Sequence, residues 1–429
     1  MTQYLRVLRH RDFRYLFAGQ SASAVGDQLV IVAVALYITQ RTGSATDLGL
    51  VLLAQATPFV VLVLFGGVWA DRLPRHRLML AADGARALLH AVLAASILLG
   101  GASIVELVVI EALFGTARAF FAPAYSGLLP QTVPDDEFQD ARALSATTAN
   151  LAILIGPALG AGIVLAFGAG WAFAADAATF VLSAALLYPI APRRRGGGTA
   201  TRAPARESLM AELHAGWREV RARTWFWATV AAFTGAVLCA YCPWYALAPL
   251  ISRDHYGGTA VFGVLESVAG GGALVGAVAG LRWRPRRPIA LGLAMTVLWP
   301  AQSIAFALLA PLAAVLALAF CSGFSFSVFE VWWETALAYE IPPHALSRVS
   351  AYDVLGSLGL MPVGFALAGP LAGALGARVV LGAGAAAALA MLVAAIAPRS
   401  TRELSLPARS APSAQQLGHD VPVEAGREA

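Results

Sequence analysis

Twelve predominantly apolar stretches, each of about 20 residues, follow one another along this chain. They lie near 16–39, 47–70, 78–99, 103–124, 144–167, 170–190, 225–250, 259–281, 288–309, 312–335, 352–375 and 378–397. Inside a bilayer no water satisfies backbone N–H and C=O groups, so a spanning segment must close its hydrogen bonds internally. At about 1.5 Å per residue, a helix of this length crosses the hydrocarbon layer of about 30 Å. Composition agrees, because 59% of the 429 residues are hydrophobic and 13% are charged, about half the charged share of a soluble domain. The expectation is an all-α integral membrane protein with twelve transmembrane helices in two six-helix bundles.

The arginines test that count, since a wrong number of spans would scramble their sidedness. They fall in the N-terminal tail (Arg6, Arg9, Arg11, Arg14), the 2–3 hairpin, the long 6–7 connection, the 8–9 hairpin (Arg282, Arg284, Arg286, Arg287) and the C-terminal tail. The opposite side holds Arg41, Arg253 and Arg378. Basic loops stay cytoplasmic, which puts both termini inside a multi-pass protein of the cell membrane. The net charge of +5 therefore belongs to topology, and nucleic acid is not an expected partner. The apolar run after the N-terminal arginines is too long for a cleavable signal and reads as the first span.

The chain divides into an N-terminal bundle over 1–190, a cytoplasmic linker over 191–224, a C-terminal bundle over 225–397 and a disordered tail over 398–429. Ser208 as an N-cap, with Leu209, Leu213, Trp217 and Val220 at helical spacing, predicts an amphipathic helix in the linker. The halves echo each other. Val133-Pro134 followed by Arg142 returns as Ile341-Pro342 followed by Arg348, and Gly156-Pro157-Ala158-Leu159-Gly160 returns as Gly369-Pro370-Leu371-Ala372-Gly373. Two related six-helix halves follow.

The hairpin Gly66 to Arg77 squeezes one acid and several bases between two apolar runs. A central Arg or Asp in the membrane costs roughly 2.5 to 3.5 kcal/mol, so these charges sit at the surface. Gly67 and Asp71, four apart, share a helix face: the glycine admits a neighbouring helix and the carboxylate can meet its end. Arg72, Arg75 and Arg77 are left for acidic partners or membrane lipid head groups.

On these residues the chain resembles the major facilitator superfamily. Gly67-x-x-x-Asp71-Arg72-x-Pro74-Arg75-x-Arg77 is similar to its signature G-x-x-x-D-R-x-G-R-R, with Pro74 at the usual glycine. Phe13-Arg14-x-Leu16 with Gly19-Gln20, Ser23 and Gly26-Asp27, the run Trp333 to Pro342, and Arg348-Val349-Ser350 with Asp353 resemble the enterobactin- and macrolide-exporter branch. The resemblance implies alternating access, in which two bundles rock about a central cavity and the 2–3 hairpin locks its cytoplasmic side. It gives Asp71 a place near the start of helix 11, whose positive dipole end it would stabilise. Gly156-Pro157-x-x-Gly160 resembles the fifth-helix signature of proton-driven exporters, G-x-x-x-G-P-x-x-G-G, with Ala152 and Ala161 at two glycine positions. Proline removes one backbone hydrogen bond and glycine permits close contact, which describes a bent, tightly packed helix as well as it describes a switch.

Ionisable residues inside spans are functional candidates by default. Asp27 lies about eleven residues into the first span, near the midplane, and is the first candidate for proton coupling or for a hydrogen-bonded packing role. Glu266, Glu330 and Asp176 follow. Arg118 can be their counter-charge or face the cavity, and Glu334 and Asp353, nearer the helix ends, suit gating salt bridges. Trp244, Tyr245, Trp332 and Trp333 can line a cavity for a bulky or cationic small molecule, or simply pack. Cys239 and Cys242 form a C-x-x-C within an apolar run and, with Cys321, read as packing residues. Of seven histidines His90 alone lies in a span, and no two are spaced as a ligand pair, so no metal or other cofactor is expected.

The leading expectation is a secondary exporter of small organic molecules (drug, antibiotic or siderophore-like), driven by protons. An uptake symporter or uniporter shares the same fold. A polytopic membrane enzyme would need a catalytic cluster, and Asp135-Asp136-Glu137 reads as a solvated loop start. A sensor would need a signalling domain. No phosphate-binding loop points to ATP.

Overall fold

The computed structural model describes residues 4–190, 217–283, 285–342, 349, 352–353 and 355–405; within them nothing is said of the side chains at 4, 5, 64, 66–68, 70–72, 135 and 338. Among the described residues every regular element is a helix. The helices are α1 (Arg11–Arg41), α2 (Ala45–Arg72), α3 (Arg75–Leu99), α4 (Ile104–Thr132), α5 (Phe138–Phe167) and α6 (Ala169–Leu187). The second set is α7 (Thr224–His255), α8 (Ala260–Arg282), α9 (Pro288–Ala307), α10 (Leu312–Glu340), α11 (Leu355–Leu375) and α12 (Ala377–Ala394).

Eleven of these helices are long and apolar enough to cross a membrane. The twelfth, α4, has 29 residues and packs against α2 and α3. Its apolar run is interrupted by Glu106, Glu111 and Arg118.

Local chemistry sets the ends and bends. Ser44 caps α2 by accepting from the Asp47 N–H at 3.1 Å, and Ser103 caps α4 by accepting from Glu106 at 3.1 Å. In α7 the five residues Val237–Tyr241 widen into a π turn. Pro243 follows and has no N–H for the Cys239 carbonyl four residues back. That carbonyl instead faces Gly384 of α12, so Cys239 and Cys242 stand at a helix–helix contact, and all three cysteines are free.

Three apolar clusters explain the architecture. One is shared by both halves: it joins Val30 to Ile38 of α1 and Phe173 of α6 to Trp244 to Ile251 of α7, Phe306 and Leu381. At the other end the halves have separate clusters. Phe13, Leu16, Met79, Phe121 and Leu128 pack in the N-terminal half, whereas Phe226, Leu293, Phe329, Trp333 and Leu392 pack in the C-terminal half. The molecule is therefore welded at the end holding the α1–α2 turn and parted at the end holding the 2–3 and 8–9 hairpins.

Glycines let the weld close. A methyl group on Gly270 of α8 would stand 2.6 Å from the Ile153 carbonyl oxygen of α5, and one on Gly49 of α2 would stand 2.6 Å from the Phe365 carbonyl oxygen of α11. Such backbone approach is open to no larger residue. Arg253 of α7 crosses to the other half and donates to the Thr39 carbonyl at 3.0 Å. The linker helix expected from Ser208 lies outside the described residues except at 217–222, which are helical, with Val220 buried and Trp217 5.9 Å from the Tyr352 ring.

Candidate functional site

Charged side chains are exposed within the helices, toward the parted end. Arg118 is exposed midway along α4, and Glu330 and Glu334, one turn apart, are exposed on α10. An ionised group is not held against lipid tails, so these residues mark the water-facing walls of a cavity between the halves. Arg118 lies over the Phe59 ring at 5.2 Å and within electrostatic reach of Tyr241 across the cavity. Ala122 and Ser126 continue its exposed stripe one and two turns on.

The C-terminal wall is aromatic with one half-buried acid. Glu266 of α8 accepts from Trp244 Nε1 at 2.8 Å and from the Tyr245 hydroxyl at 2.6 Å. Tyr241 packs on Tyr245 at 4.6 Å, and Trp299 lies beyond at 6.4 Å. The π turn of α7 aims Tyr241 and Tyr245 at this acid, consistent with the association of such turns with functional positions.

The N-terminal half contains the densest polar chemistry. Asp83, Arg86 and His90 project from one face of α3 at spacings of three and four residues, and none is more than 2% exposed. Arg86 pairs with Asp83, whose other oxygen accepts from Ser183 of α6 at 2.7 Å. The Arg86 guanidinium lies 4.1 Å from the Phe121 ring and 4.3 Å from the Phe180 ring. His90 Nδ1 meets Asp176 of α6 at 2.5 Å, and the imidazole stacks on Phe114 at 4.2 Å. Its Nε2 faces Glu111 of α4 at 3.7 Å. The other Glu111 oxygen accepts from Gln55 of α2 at 2.6 Å.

Of the sequence candidates, Asp176 belongs to this network, and Asp27 lies half-buried at its edge, within electrostatic reach of Asp83, His90, Glu111 and Asp176. Glu266 stands apart with Trp244 and Tyr245. Gly156 and Gly160 seat α5 on Gln28 and Leu29 of α1, beside Asp27, while the Pro157 carbonyl faces Gly263 of α8. Trp332 is buried and donates to the carbonyls of Gly280 and Trp283 at 3.2 and 2.9 Å. Trp333 is buried against Phe226 and donates to Asp353 at 2.9 Å. These two tryptophans therefore pack within the C-terminal half and do not line the cavity.

Arg75 donates to the Gly127 carbonyl of α4 at 2.6 Å, tying the signature hairpin to its own half, and Arg77 is exposed. The surroundings of Gly67, the side chains of Asp71 and Arg72, and the whole of Arg348 lie outside what the structure describes. The sequence reading missed Asp83, Arg86 and Glu111 and gave His90 no role. The three-and-four spacing on α3 was the available signal.

Twelve helices in two halves about a charged cavity define a membrane carrier. A family model described as Major Facilitator Superfamily matches residues 16–359, and the chain belongs to that transporter family. It is 29% identical over 385 residues to the multidrug efflux pump Tap of Mycolicibacterium fortuitum, covering 84% of this chain and 89% of the relative. It is 26% identical over 383 residues to macrolide efflux protein A of Streptococcus pyogenes, covering 85% and 90%. The crystal structure of a D-xylose-proton symporter superimposes with a TM-score of 0.67 at 14% identity, over 94% of this chain and 100% of that one, a likeness of fold.

Proposed function

We propose that this protein is a proton-driven exporter of small organic molecules that works by alternating access in the cell membrane. The observation that carries the reading is the division of the apolar core into clusters shared by both halves toward the welded end, the large one and a smaller one joining Ala56 to Val237, Cys242 and Phe365, and two separate clusters at the parted end. A carrier needs such an arrangement, because a cavity open at one end must be able to close there and open at the other. The arginine-rich hairpins lie at the parted end, so by the positive-inside rule the cavity opens to the cytoplasm and both termini are cytoplasmic.

Export is favoured by the similarity to two efflux proteins. In the outward-facing state the hairpin residues Gly67, Asp71, Arg72, Arg75 and Arg77, with Arg348 and Asp353 on the other half, form the cytoplasmic lock. Gly156, Pro157 and Gly160 let α5 slide on α1 and α8 during the exchange. Membrane lipids cover the outer faces, where Val61, Phe65, Leu88, Val105 and Phe167 are exposed. Substrate meets the aromatic wall around Glu266, with Arg118 opposite. Protons meet the acids of the N-terminal half.

The test is transport by purified protein in liposomes under an imposed proton gradient, with ethidium and a macrolide as probes. Accumulation on the acidic side is expected. Accumulation on the alkaline side would make the protein an uptake symporter, and movement indifferent to the gradient would make it a uniporter.

A further inference from the structure

The buried network does not balance. Asp27, Asp83, Glu111 and Asp176 bring four carboxyl groups together, against one guanidinium, Arg86, and one imidazole, His90. With every acid ionised, even a doubly protonated His90 leaves an excess of negative charge in the centre of a bilayer. Uncompensated charge is excluded from such a site, so the cluster must hold protons on its acids. Arg86 is engaged with Asp83, and α2 contributes the neutral Gln55, which leaves His90 to bridge the remaining acids.

The hydrogen bonds also leave three buried atoms of the network unpartnered, Arg86 Nε and the two that meet at the His90–Glu111 junction. His90 Nδ1 is satisfied by Asp176, whereas His90 Nε2 and Glu111 Oε1 are both buried and unpartnered. These two atoms face each other at 3.7 Å, a little beyond hydrogen-bond length. A proton on Nε2, with a small approach of α3 and α4, would join them, and loss of that proton would part them. Two arrangements of this junction, differing by one proton, would follow, of which the structure shows the parted one.

Its surroundings connect that change to the interface. Gly26, next to Asp27, packs against Asp176 and Thr179. The next turn of α1 carries Gln28 and Leu29 against Gly156 and Gly160 of α5, and α5 meets Gly263 of α8 in the other half through Pro157 and Ala161. Close packing along this path is what would pass a shift of α6 or α1 on by contact.

Resting on the reading of the protein as a proton-driven carrier, we propose that His90 is its proton carrier. Its imidazole takes up one proton through Asp27, the half-buried member of a cluster whose other members are buried, and as imidazolium bridges Asp176 and Glu111. It returns that proton to water through Asp27 after the halves have exchanged. No bond other than N–H and O–H is made or broken. Asp176 and Glu111 are positioning residues that hold the two sides of the ring.

The experiment uses full-length protein in liposomes with a pH dye inside and ethidium as probe. Two assays run in parallel: exchange of external labelled for internal unlabelled ethidium at equal pH, and ethidium-triggered proton flux under a pH gradient. His90→Gln is expected to keep exchange within about twofold of wild type and to lose proton flux at least tenfold, because exchange needs the conformational cycle but no net proton transfer. A merely structural role would lower both together. Asp176→Asn and Glu111→Gln, which keep side-chain shape, are expected to give the same split and stand in should His90→Gln fail to fold. Proton flux retained by the folded His90 variant overturns the proposal, as does equal loss of both activities in all three variants. Exchange by wild type without proton flux also overturns it and leaves the carrier reading standing. Failure of wild type to exchange ethidium or a macrolide counts against the carrier reading itself. In that event nitrogen NMR of the histidine-labelled protein decides His90 alone, where an imidazole that never changes protonation between pH 5 and 9 contradicts its role.

Discussion

The two halves of this transporter descend from one repeated pattern, visible as Gly156-Pro157-Ala158-Leu159-Gly160 against Gly369-Pro370-Leu371-Ala372-Gly373, yet they use polar residues in opposite ways. The N-terminal half sinks Asp83, Arg86, His90, Glu111 and Asp176 into the centre of its own bundle, each nearly inaccessible. The C-terminal half turns one acid, Glu266, toward an aromatic wall and satisfies it with neutral donors, Trp244 and Tyr245. A charge cluster sealed inside a bundle can exchange protons but has no room for an organic molecule. An acid framed by aromatic rings at a cavity wall can meet a cationic or apolar molecule directly. On the proposed function the difference divides labour: the first half would handle protons and the second would handle substrate.

Substitutions can break that division. The largest effect is expected from Arg86→Met, which strands the buried Asp83 carboxylate. Breaking a buried pair by removing one partner costs roughly 3 to 5 kcal/mol, read as a large fall in thermal unfolding temperature in detergent. Adding Asp83→Asn should restore much of it; no restoration would mean that Arg86 acts through its contacts with Phe121 and Phe180 instead. In the other half, Glu266→Gln should leave the unfolding temperature nearly unchanged and weaken ethidium binding about tenfold, near 1.4 kcal/mol, measured by fluorescence titration. Unchanged ethidium affinity would remove Glu266 from the substrate wall. Tyr245→Phe deletes one hydrogen bond to Glu266, worth about 1 kcal/mol, and should alter affinity about fivefold without touching proton flux per molecule moved. The smallest change is expected for Arg253→Ala. It removes the donor to the Thr39 carbonyl at the welded end, and cysteine-labelling rates there should rise a few fold.

The fold was legible because apolar runs of membrane length and arginine sidedness depend on composition alone. The fourth span was the weakest by that measure, and the reason is chemical, since Glu106, Glu111 and Arg118 dilute it, Glu111 within the bundle interior and Arg118 on an exposed face. Asp176 and Glu266 were visible as isolated acids in apolar runs. Which helix face each occupies was not, so Asp27 stood above Asp176 in the sequence although Asp176 is the one bound to His90. Asp83 and Arg86 sit early in their run and read as part of its polar flank. Only packing against α6 reveals them as buried. Trp332 and Trp333 were attractive as cavity aromatics, and each turned inward because its indole N–H found an acceptor inside its own half.

If His90 carries the proton, the protonation state of the N-terminal network sets which end of the molecule is open. Spin labels at Leu73→Cys and Leu281→Cys, both exposed at the parted end, report the separation of the halves there, with Cys239, Cys242 and Cys321 replaced by alanine. Double electron–electron resonance in lipid nanodiscs at pH 5.5 and 8.5 is expected to give two distance distributions for the otherwise wild-type protein and a single, pH-independent one for His90→Gln. The same pH-dependent shift with and without His90 would contradict the account.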